Sequence, residues 1–166
     1  MKSETTRHAV VAALAVLGLG LSQVPAQAQS WTVDGVGKAS DMSKVHQLSD
    51  SHMVIMNHSE YTEIADADPS NPLHGATGPC FGATEVKPPQ VTGAGRCVFT
   101  ASGGDMISIE WTATGMSEQG AITGDWQLVG GTGAFDGASG GGQFSSLSDN
   151  DAGEETNTIG GEITLP

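Results

Sequence analysis

The sequence predicts an all-β domain, a barrel or a sandwich, and three observations carry that expectation. Seven or eight short apolar or alternating runs follow residue 31, with turn residues between them. No stretch in that region combines helix caps with a sustained 3.6-residue period. Fourteen of the 24 glycines fall between residues 93 and 142, a density that suits hairpin turns and strand bends and does not suit a helix bundle. A chain of 166 residues is the length of one domain.

Residues 1–28 read as a cleaved signal peptide. Lys2 and Arg7 precede an apolar run from Ala9 to Leu21, which is too short to span a bilayer. Pro25 ends that run, and Ala26-Gln27-Ala28 gives the small-x-small pattern of a signal peptidase site. The product is expected to be exported, to a periplasm or the outside. No later apolar run approaches twenty residues, so no membrane insertion is expected after cleavage.

Residues 29–50 are mixed and polar without a clear period, and are set apart as an N-terminal segment before a barrel domain at 51–166. Met53 to Ile64 reads as one long or bent strand, and residues 66–78 as a loop broken by Pro69, Pro72, Gly75 and Gly78. Residues 80–86 alternate and Lys87-Pro88-Pro89-Gln90 turns the chain. The next strand is read from Arg96 to Ala101. Ile107, Ile109, Trp111 and Ala113 then share one face of a period-2 segment, opposite Ser108, Glu110, Thr112 and Thr114. Residues 121–129, 142–147 and 158–165 complete the set.

A net charge of −13 excludes unaided binding to nucleic acid or to an anionic membrane, both of which need clustered Lys and Arg. Cys80 and Cys97 are the only cysteines. In an oxidising compartment they are expected to form a disulfide, the alternative being a reactive thiol or metal ligands. His46, His52 and His58 recur every six residues, but residues six apart on a straight strand lie roughly 20 Å from one another. They are read as polar residues on a partly exposed strand. The acidic run from Asp149 to Glu155 lacks a full calcium-loop pattern and is read as a solvated turn. No metal site and no cofactor are expected: no G-x-G-x-x-G opens a helix, and no G-x-S-x-G elbow is present.

The run Leu128-Val129-Gly130-Gly131-Thr132-Gly133-Ala134-Phe135-Asp136-Gly137-Ala138-Ser139-Gly140 resembles the strand–turn–strand signature of allene oxide cyclases and the related dirigent proteins. Gly95-Arg96-Cys97-Val98-Phe99, followed by residues 105–111, also resembles the cyclase strand pair. The resemblance implies a small closed antiparallel β-barrel of about eight strands with a central pocket, often as a homo-oligomer. It implies pocket or barrel-end roles for Trp111, Trp126 and Phe135, with Phe135 plugging the barrel end. Cys97 matches the position of a cyclase pocket cysteine, while the cyclase glutamate has no match beyond Glu60, whose flanking motif is absent.

The expected function is binding of a small apolar or amphipathic molecule in the barrel. The alternative is an isomerase or cyclase acting on an apolar substrate, with Glu110 or Glu60 as acid/base. Glu110 qualifies only if its face of the strand lines the cavity, where burial would raise its pKa.

Overall fold

The computed structural model describes residues 27–166. The expected signal peptide lies outside the described residues, apart from Gln27 and Ala28. Nine strands form one sheet: β1 (Gln29–Asp41), β2 (Lys44–Ser49), β3 (His52–Asp66), β4 (Gly78–Lys87), β5 (Gln90–Thr100), β6 (Met106–Met116), β7 (Ile122–Gly131), β8 (Ser139–Asp149) and β9 (Glu154–Leu165). A single 3-10 turn, Gly133–Phe135, follows β7. Neighbouring strands are antiparallel, and β1 pairs with both β9 and β3, closing eight strands into a barrel. β2 is the extra strand. It continues the line of β1 along the edge of β3.

Residues 29–50 are therefore not a segment set apart from the barrel. β1 is a full stave, with Val33, Gly35, Gly37 and Ala39 buried and the residues between them exposed. Its period is 2, but glycine and alanine hold the inward positions, so hydropathy does not register it. The small residues are required by packing. A Cβ on Gly37 would lie 2.6 Å from Cε1 of Tyr61, whose ring crosses that strand. The same effect hides the start of β5, which begins at Gln90 rather than Arg96. There the Trp111 ring lies over Gly82 and Gly95, and a side chain on either would overlap it.

The inward face of β6 is Ile107, Ile109, Trp111 and Ala113. β3 is bent by a bulge: Lys38 pairs with Glu63 and Ala39 with Tyr61, leaving Thr62 as the extra residue. The bulge moves the inward parity from Ser59 and Tyr61 to Ile64 and Asp66.

One end of the barrel is filled. Leu73 and Ala76 from the β3–β4 loop pack with Phe99, Ile107, Phe135 and Ile163, all buried. Asn71 fixes that loop: its Nδ2 donates to the carbonyl of Thr32 at 3.0 Å and its Oδ1 accepts from the backbone N–H of Leu73 at 2.9 Å. Asp66 accepts from the backbone N–H groups of Asp34 and Asp68. The opposite end, where β2, the β6–β7 turn and the β8–β9 turn meet, is open.

Candidate functional site

The barrel encloses a cavity of about 310 Å³ that reaches the open rim, where Val45, Met116, Gly120 and Asn150 line it. Ile64, Leu73 and Phe99 form its floor. Its two walls differ in chemistry. Met53, Ile55, Val86, Trp111, Ile122 and Phe144 make an apolar side, with Trp111 and Phe144 edge to face at 6.3 Å. Ser59, Tyr61, Ser146, Glu155 and Asn157 make a polar one.

Glu155 organises the polar wall. The Tyr61 hydroxyl donates to its Oε1 at 2.5 Å, the Ser146 hydroxyl donates to the same oxygen at 2.7 Å, and the Ser59 hydroxyl donates to Oε2. Asn157 Nδ2 donates to the Tyr61 oxygen at 2.8 Å. Tyr61 and Ser59 are only 2 % and 3 % exposed, so these bonds form away from bulk water. Burial pushes the Tyr61 phenol well above its ordinary value, and the adjacent Glu155 adds to the shift. Nearer the rim, burial raises Asp41, but the neighbouring Ser148 and Ser43 outweigh it and hold the carboxyl below the usual range, the backbone N–H of Ser43 donating to Oδ1 at 2.8 Å.

Cys80 and Cys97 lie on the cavity wall directly opposite each other on β4 and β5, with Cα atoms 4.0 Å apart, and are joined by a disulfide. Trp111 lines the cavity. Trp126 lines it too and donates from Nε1 to the carbonyl of Gly160 at 3.0 Å. Phe135 is buried at the filled end, where its Cβ and carbonyl oxygen close over Gly131 and leave no room there for a side chain.

The two carboxylates singled out in the sequence are placed elsewhere. Glu110 is on the outer face, where it pairs with Arg96 at 2.7 Å directly across the β5–β6 ladder. Glu60 is exposed, because alternation turns it outward between the inward Ser59 and Tyr61. Neither lines the cavity. The cavity carboxylates are Asp41, at the end of β1, and Glu155, which sequence reading left in the acidic turn. The signal was the parity of β9: counting back by twos from Ile163 through Ile159 reaches Asn157 and Glu155.

The three histidines are not brought together. His52 pairs with Glu85 at 2.6 Å, while His46 and His58 are exposed. In the acidic turn, Asp149 Oδ1 accepts from the backbone N–H groups of Asp151 and Ala152. Among the described residues no group of three His, Cys, Asp or Glu side chains is arranged to hold a metal ion.

No family model and no curated protein matches this chain. Solved structures similar to it include two pterocarpan synthase dirigent proteins, GePTS1 and PsPTS1, each 15% identical over 84% of this chain. The alignments cover 86% and 94% of those proteins, with TM-scores of 0.48 and 0.46. The closed eight-stranded barrel itself is read from the strand pairing of this chain.

Proposed function

We propose that this protein is an exported barrel that binds one small amphipathic molecule in its central cavity. The observation that carries the reading is the two-sided cavity: an apolar wall for the body of a ligand and a hydrogen-bonding wall for its polar end, open at one rim. A few buried methylenes at about 0.8 kcal/mol each supply a useful share of the roughly 8 kcal/mol of a micromolar complex. Export is supported by the disulfide between the only two cysteines. It also fits that no helix among the described residues is long and apolar enough to cross a membrane.

The test is titration of the mature protein with the neutral dye N-phenyl-1-naphthylamine, together with native mass spectrometry of protein from its own compartment. Saturable uptake of one dye per chain is expected. A barrel that takes up no dye and carries no bound molecule sinks the reading.

A second reading, an isomerase or cyclase on an apolar substrate, is favoured by one contact, the hydrogen bond of Tyr61 to Glu155. A carboxylate beside a phenol can take a proton and return it. Recovery of the same unaltered molecule from the wild-type protein and from Glu155→Gln would rule this reading out.

A further inference from the structure

The geometry points to a ligand whose polar end is a hydrogen-bond donor, best an ammonium and next a hydroxyl, and to rejection of a carboxylate. This inference rests on the binding reading above and gives its ligand a chemical class. The formal charges on the cavity wall are both negative, Asp41 and Glu155, and no Lys, Arg or His lines it. The cations of the described residues are few, Lys38, Lys44, Lys87 and Arg96, and Arg96 is committed to Glu110 on the outer face.

The hydroxyl donors around Glu155 are already used. The hydroxyls of Ser59, Tyr61 and Ser146 all donate to Glu155, and Asn157 Nδ2 donates to Tyr61. What remains beside Glu155 is mostly acceptor capacity. The buried side-chain oxygens that find no donor among the described residues are Asp41 Oδ2 and Asn157 Oδ1. The polar neighbours that hold the Asp41 carboxyl below its usual range, among them the Ser43 N–H on Oδ1, also keep it ionised at neutral pH.

A carboxylate entering beside Glu155 would give up its hydration, meet like charge and find the neighbouring hydroxyls already engaged, with spare donors such as the Asn57 amide N–H groups lying elsewhere on the lining. A hydroxyl brings one donor. An ammonium brings three and a compensating charge. The apolar wall is indifferent to the head group, so affinity for the chain and preference for the head separate cleanly.

The experiment is displacement of bound N-phenyl-1-naphthylamine by octylamine, octanol and octanoate, at neutral pH and physiological salt to screen the net negative charge of the surface. The expected order is octylamine, then octanol, then octanoate, with the amine at least about tenfold tighter than the carboxylate, as charge-assisted hydrogen bonds give. Glu155→Gln should narrow the gap between amine and alcohol, with circular dichroism reporting whether the variant is folded. The wild-type comparison decides the matter even if it is not. Octanoate equal to or tighter than octylamine, octanol tighter than octylamine, or dye uptake with no displacement by the amine overturns the inference and leaves the binding reading standing. Absence of dye uptake removes the binding reading itself, and the inference with it.

Discussion

Gly37→Ala tests whether the packing of β1 sets the geometry of the cavity. The added Cβ would sit 2.6 Å from Cε1 and 2.9 Å from Cδ1 of Tyr61, against 3.4–4 Å for an ordinary contact. The ring must therefore retreat by roughly 1 Å, or β1 must shift. Tyr61 has little room to move. Its hydroxyl is held by Glu155 at 2.5 Å and its ring meets Phe99 edge to face at 5.5 Å.

Overpacking of this kind costs about 1–3 kcal/mol if the ring stays on Glu155, and a ring that swings aside to relieve it instead loses a hydrogen bond to a charged group, at about the same cost. Replacing glycine also stiffens the unfolded chain, which returns about 0.4–1 kcal/mol. The net loss is about 1–2 kcal/mol, or roughly 3–8 °C in melting temperature for a domain of this size. Thermal unfolding followed by circular dichroism measures it. Gly103→Ala is the control, because a Cβ there meets nothing within 4 Å, and its effect should stay within about 0.5 kcal/mol. A Gly37→Ala protein that melts with wild type and binds dye as wild type would show that the glycine is not needed for Tyr61, and the reasoning fails.

Two further outcomes follow from the same structure. The mature protein, denatured without reductant, should show no free thiol, and Cys97→Ser should lose about 3 kcal/mol through the freed loop of the unfolded chain; two titratable thiols in protein from its own compartment would contradict the bridge. Tyr61 is the only tyrosine, so absorbance of phenolate reports it alone. Its folded pKa lies above the unfolded value of about 10, so the stability it contributes is complete below that pH and is lost as pH rises through the folded pKa. The native protein should therefore show no phenolate near pH 10, and a normal titration there would refute the burial argument.

The strands that sequence reading found are those whose inward residues are large. Ile107, Ile109 and Trp111 mark β6, and Trp126 and Leu128 mark β7. What it missed are inward positions filled by glycine, because a large ring from a neighbouring strand occupies the space: Gly37 under Tyr61 in β1, Gly95 under Trp111 in β5. Hydropathy sees only the owner of the side chain, not the strand beneath it. The site failed for a related reason. Glu155 is charged and sits at the end of an acidic run, so composition assigned it to solvent, whereas the pleat of β9 turns it inward. Glu110 was the reverse case, a charge flanked by apolar residues whose face depends on which side of β6 is inside. The disulfide was legible because it needed only two cysteines, an oxidising compartment and a hairpin between them.

The closure of the barrel also bears on how the chain folds. From β3 to β9 each strand lies beside the next one in sequence, so those pairings grow hairpin by hairpin. The β1–β9 seam is different, setting Gln29 opposite Leu165 and Ser40 opposite Glu154. Pairings of such high contact order are slow, and the ring cannot close before β9 is in place. Until then β1 and β9 each offer an open edge to any other copy of the chain. Those two strands carry Asp34, Lys38, Glu154 and Glu162 at exposed positions. Charges on an unpaired edge disfavour its pairing with another chain, and they protect the protein during the interval when it is an open sheet.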